Sequence, residues 1–196
     1  MSLFSFRKPS LKVLAVLAVL PAVTLSACNR KPAEPTPPPS EAAGTTWLND
    51  GVVLYMPDPV MKARIKVEDL SPYMQKVDEA AKAVAEAQQG QKGTSGMLLV
   101  AMRPGGLSKA WVVTGEPSME PAIADAMVAA AETVPVPTVN EETVLVGIKF
   151  HAFGGGTLPV SAGPPIPIGW YAHFSKHGGL LDDELMSKVW PKEAAQ

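Results

Sequence analysis

The chain has 196 residues, 46% of them hydrophobic and 18% charged, with 17 basic and 19 acidic side chains and a formal net charge of −2. That length suffices for one domain with a real core plus a tether, and the mild acidity excludes the basic footprint of nucleic-acid binding. Cys28 is the single cysteine, so no disulfide forms within one chain.

The chain opens basic and then turns apolar. Arg7, Lys8 and Lys12 precede the run Val13–Leu25, and no acidic residue occurs before Glu34. The run has the length of a signal-peptide core and is short for a membrane span. Ser26 and Ala27 are small enough for a signal peptidase cleft, and a thiol follows directly. Leu25-Ser26-Ala27-Cys28 resembles the lipobox of bacterial lipoproteins, in the right place behind the right leader. The resemblance implies cleavage before Cys28, a diacylglyceryl thioether on its sulfur and an acyl chain on its new amino group. Two or more chains hold a protein on a bilayer stably, where one does not. Asn29 follows the cysteine where an Asp marks inner-membrane retention in enteric-type bacteria, so the expected address is the outer membrane, facing the periplasm. The competing readings are a free buried thiol and an uncleaved anchor over residues 13–27, and Pro21 opposes the anchor. Removal of residues 1–27 leaves 14 basic against 19 acidic residues, a net charge of −5.

Residues 28–46 form the expected lipid-anchored linker. Asn29–Gly44 contains five prolines and almost no apolar bulk, which predicts a disordered spacer of polyproline II character rather than an SH3-type ligand. Residues 47–196 are the expected periplasmic domain.

Val52–Met56 reads as a short strand ended by Pro57 and Pro59. Ser71-Pro72 predicts a helix start, with Ser71 as N-cap and Pro72 in the first helical position. Tyr73, Val77, Ala80, Ala81, Val84 and Ala87 follow at helical spacing up to Gly90. Met97–Arg103 and Lys109–Thr114 read as strands joined by a tight Pro104-Gly105-Gly106 turn. A second helix, capped by Ser118, presents Ile123, Met127, Ala130, Ala131 and Val134, and Pro135 and Pro137 end it. Thr143–Phe150 alternates, with Val144, Val146, Ile148 and Phe150 on one face and Leu145, Gly147 and Lys149 on the other. The expected fold is α+β, a small antiparallel sheet with helices packed on one face. Residues 151–196 read as a loop-rich extension, with an edge strand at Trp170–Phe174 and a last helix over Leu180–Val189.

Residues 96–150 resemble the C-terminal domain of TonB and TolA, the periplasmic ends of envelope energy transducers. The matching pieces are Gly96–Met102, the Pro104–Gly106 turn, Ala110–Val113, the helix around Ala122–Ala131, and Val144–Phe150, with a Pro135-Val136-Pro137 break after the helix. A lipobox stands where those transducers keep an uncleaved membrane helix, residues 13–27 carry no histidine, and the helix ends Ala-Glu-Thr-Val without the family's aromatic. Tethering rather than transduction is therefore expected. The resemblance also implies an exposed edge strand that accepts a partner's segment through backbone hydrogen bonds. The strand expected to do so comprises Thr143, Val144, Leu145, Val146, Gly147, Ile148, Lys149 and Phe150.

Signatures of catalysis are sparse. His173 and His177 with Asp182 form the one arrangement that suggests a metal-dependent hydrolase, but Gly178-Gly179 interrupts any helix there and no His-Glu-x-x-His motif is present. Asp182-Asp183-Glu184 suits the start of the last helix, where acids meet the macrodipole. Ser175 and His177 lack a Gly-x-Ser-x-Gly elbow, and Gly154–Gly156 lacks the P-loop lysine. Trp111 and Trp170 read as core. The expected function is a non-enzymatic binding or assembly module for an envelope protein partner, without cofactor. The alternatives are a scaffold of an envelope transport or secretion complex and, behind it, the hydrolase.

Overall fold

A computed structural model describes residues 46–159, 163–174 and 182–192. The lipobox with Cys28, the linker up to residue 45, and His177 lie outside the described residues.

Four strands form one antiparallel sheet: β1 (Trp47–Leu54), β2 (Thr94–Arg103), β3 (Leu107–Thr114) and β4 (Val144–Ala152), in the order β1-β4-β2-β3. The β2–β3 hairpin closes on the pair Arg103↔Leu107. Gly105 and Gly106 both take left-handed φ values, 87° and 75°, which glycine adopts without strain. The chain returns from β3 through α3 (Pro121–Glu132) to β4. Its N-cap is Glu120 rather than Ser118, because Pro121 fits the first helical position, where no N–H is needed.

Two helices precede β2. α1 (Asp58–Arg64), which the sequence did not predict, starts after Pro57 and carries an Asp58–Lys62 ion pair one turn apart. α2 (Val67–Glu86) begins four residues before the expected N-cap and contains Pro72 internally. The extra turn buries Leu70, and Pro72 deprives only the carbonyl of exposed Glu68 of its helical donor. Glu68 and Asp69 suit the positive end of the helix.

Paired residues share a face of the sheet. Leu98, Val100 and Met102 therefore line up with Ile148, Val146 and Val144. Gly96 lies opposite Phe150, and a Cβ there would come within 2.9 Å of the Phe150 ring. Trp47 stacks on that ring at 4.7 Å and donates from Nε1 to Asp78 of α2 at 2.9 Å. α3 reaches the same side, where Glu132 Oε1 accepts from Ala110 N. This is the helix-covered face.

The opposite face carries Met97, Leu99, Ala101 and Leu145, all buried, and is closed by the C-terminal segment. Trp170 meets Trp111 edge to face at 4.9 Å, and Tyr55 Oη donates to Pro165 O at 2.6 Å. Residues 168–174 are not an edge strand. Ile168–Trp170 is a 3₁₀ turn, with Trp170 N donating to Pro167 O, and leads into α4 (Tyr171–Phe174). The last helix, α5, spans Asp183–Val189, with Leu185 and Met186 buried. Among the described residues no helix is long and apolar enough to cross a membrane.

Candidate functional site

Thr143–Phe150 is not a free edge. β4 pairs with β1 on one side and β2 on the other, so its backbone groups are committed in both directions. The reason is legible in its side chains: Leu145 and Gly147 make the supposed outer face as apolar as the inner one, which suits a strand buried on both faces. The edges of the sheet are β1 and β3.

β3 is partly covered. Gly115 N donates to Ser95 O, so the odd-numbered amides of β3 face β2 and the even-numbered ones face outward. Outward Ala110 N is taken by Glu132 Oε1 at 2.9 Å, and Lys109 pairs with the same carboxylate at 3.2 Å. Ser108 Oγ reaches Glu132 O at 3.5 Å, so the end of α3 shields the start of this edge.

β1 is open. Tyr55 N donates to Leu145 O, so Val53 faces β4 and the N–H and C=O groups of Val52 and Leu54 point away from the sheet. No other described residue pairs with those groups. Val52 and Leu54 are each 47% exposed, and both lie on the helix-covered face with Ile148 and Val146. Beside them runs a groove of about 260 Å³ between β1 and α2. Leu70 and Met74 floor it, and Val67, 59% exposed, stands at its rim with polar Gln75 and Asp78. A bulge between Asn49 and Val52 limits the open stretch to its C-terminal half, with Gly51 N held by Asn49 Oδ1 at 2.8 Å.

The bulge is fastened by charge. Asp50 Oδ2 pairs with Lys149 Nζ and lies 3.5 Å from His151 Nε2. The Lys149 hydrogen bond holds the Asp50 carboxyl below its ordinary pKa, against an opposing contribution from burial, and the charges of Lys149 and His151 add to the lowering. His151 Nδ1 lies 2.6 Å from Ser95 Oγ. Serine, histidine and aspartate are thus in line, a grouping that no sequence spacing announces. Ser95 is fully buried, and its Oγ accepts from Gly156 N at 2.8 Å and reaches Gly156 O at 2.9 Å. It fastens the glycine turn to β2 rather than presenting a nucleophile.

Of the three residues of the hydrolase alternative, the structure describes His173 and Asp182. Asp182 Oδ1 accepts from Leu185 N at 2.8 Å as the N-cap of α5, at the helix start where its acidic run was expected. His173 is exposed on α4, and His177 is outside the described residues. Among the described residues no group of three or more His, Cys, Asp and Glu side chains is placed to hold a metal ion. The open half of β1 with its groove is therefore the candidate site, and no protein-family model, curated protein or solved structure matches the chain.

Proposed function

We propose that this protein is a non-enzymatic binding module of a bacterial envelope, held at a membrane through lipidated Cys28 and engaging a protein partner by strand addition at β1. The observation that carries the reading is the pair of outward backbone positions at Val52 and Leu54 beside an apolar groove. An added strand takes its affinity from such backbone groups and its specificity from alternate side chains in adjoining pockets. A partner residue set against Leu70 and Met74 supplies that second part.

The anchor reading is supported by Leu25-Ser26-Ala27-Cys28 and by the proline-rich Asn29–Gly44 stretch that precedes β1. The likeness to TonB and TolA C-terminal domains is supported by the succession β2, glycine turn, β3, α3, β4. The engaged edge moves from the strand that likeness suggested to β1. Photo-crosslinking from Leu54 in intact cells, with and without the outward N–H at Val52, tests the reading.

A further inference from the structure

A second concavity lies away from β1, and its chemistry is different. About 520 Å³ is enclosed between the β2–β3 hairpin, the loop entering β4 and the residues after α5. Arg103 forms its floor and is only 5% exposed. Its Nε donates to Thr143 Oγ1 at 3.0 Å, and its Nη2 donates to Met186 O at 3.2 Å and to Trp190 O. The guanidinium lies over the Trp190 ring, 4.0 Å from its centroid. Nη1 has no partner among the described residues, and no described carboxylate comes within ion-pair distance.

A buried guanidinium held by carbonyls and a ring still carries a full charge and two unused N–H groups. Both sit on Nη1, since Nε and Nη2 are already taken. One anionic oxygen, such as that of a carboxylate, can therefore accept there, beside the more distant charge of Glu142. The rim restricts which anion. Glu141 and Glu142 line it, and Lys192 pairs with Glu142 at 3.5 Å. Two cations and two acids leave the lining neutral, which disfavours a polyanion such as phosphate and suits a molecule carrying both signs. Glu141 is held at a φ of 63°, a left-handed conformation that costs free energy in a non-glycine residue. Leu107, 56% exposed, and Trp190 supply an apolar wall.

We propose that this cavity binds a small amphoteric molecule, a free α-amino acid or a short peptide, with its carboxylate on Arg103 and its ammonium facing Glu141 and Glu142. An apolar side chain lies against Leu107 and Trp190. The inference does not depend on the β1 reading.

The test is calorimetric titration of the full-length chain in detergent with L-leucine and with glycyl-L-leucine. L-leucine methyl ester and N-acetyl-L-leucine serve as probes lacking one charge. At least one zwitterion binds, and each single-charge probe binds about tenfold or more weakly, the scale of one charged hydrogen bond. Which zwitterion binds better separates a free amino acid from a peptide. Arg103→Gln abolishes binding. Should that variant unfold, Leu107→Glu keeps the test open, because it places a carboxylate on an exposed wall outside the core. It weakens binding about tenfold or more with an unchanged circular dichroism spectrum. The proposal is overturned if neither zwitterion binds at millimolar concentration. It is equally overturned if single-charge probes bind as well, or if Leu107→Glu leaves binding intact.

Discussion

Arg64 and Asp183 form a two-pronged ion pair, Nη1 to Oδ1 at 2.8 Å and Nη2 to Oδ2 at 2.7 Å, between the end of α1 and the start of α5. The same Nη1 donates to Thr143 O at 2.6 Å, at the entry to β4. One guanidinium thus joins three parts of the chain and holds α5 against the sheet face that the helices leave uncovered. Arg64→Met loses all three bonds and leaves a backbone acceptor unpaired, so it should cost about 2–3 kcal/mol. Asp183 is more exposed, and Asp183→Asn should cost about 1 kcal/mol or less. Urea unfolding of both variants measures the difference, and Arg64→Met is expected to be the less stable.

Among the described residues, buried Thr94 Oγ1 has no hydrogen-bond partner, and buried Tyr73 Oη has only the Ser108 hydroxyl nearby, outside good hydrogen-bond geometry. Removing an unsatisfied buried polar group relieves its desolvation cost while the hydrocarbon packing stays. Tyr73→Phe and Thr94→Val should each leave stability unchanged or raise it by about 1 kcal/mol. A shift of the urea midpoint to lower concentration in both variants contradicts this.

Alkali should destabilise the protein through the same tyrosine. Burial pushes the Tyr73 phenol up to about 12 from 10.0, with the Ser108 hydroxyl acting weakly in the other direction. Its folded pKa lies above its unfolded value, so the stability it contributes is complete below pH 10 and is lost as pH rises toward 12. Roughly 3 kcal/mol is at stake for a shift of that size. Tyr55, raised for the same reason, adds to the loss at still higher pH. Stability measured against pH should therefore fall from about pH 10 upward, and less steeply in Tyr73→Phe.

The hairpin, α3 and β4 are legible because their signals are local: a Gly-Gly turn between apolar runs, and apolar side chains at helical or alternating spacing. The acidic run Asp182-Asp183-Glu184 at the start of the last helix is legible for the same reason, whereas the capping bond of Asp182 is not. The position of β4 within the sheet is set by pairing with segments far away in sequence. Its signal was present in Leu145 and Gly147, apolar where an edge strand carries charge. β1 announces its exposed position through Asn49-Asp50-Gly51, a bulge sequence inside a strand. The start of α2 was missed because Ser71-Pro72 imitates a helix start, while burial of Leu70 extends the helix past it. Arg103 gives no local sign at all, since its burial comes from Thr143, Met186 and Trp190 closing over it.

The proposed membrane tether makes a separate prediction. Cys28→Ser removes the thiol that the proposed lipidation requires, so the variant should leave the membrane pellet on fractionation, while the parent stays. A variant that pellets as the parent does shows that something other than a lipid on Cys28 holds the protein.

The account turns on whether β1 receives a partner. A photo-crosslinking residue at Leu54, read in intact cells, compares three strains: the single replacement, the same with Val52→Pro, and a replacement at exposed Lys82 on α2. Proline at 52 removes an outward N–H and spares the β1–β4 ladder, so the fold is retained. The predicted result is one discrete protein adduct from position 54, lost with Val52→Pro and absent from position 82. No adduct from position 54, equal adducts from positions 54 and 82, or one that survives Val52→Pro contradicts strand addition at this edge.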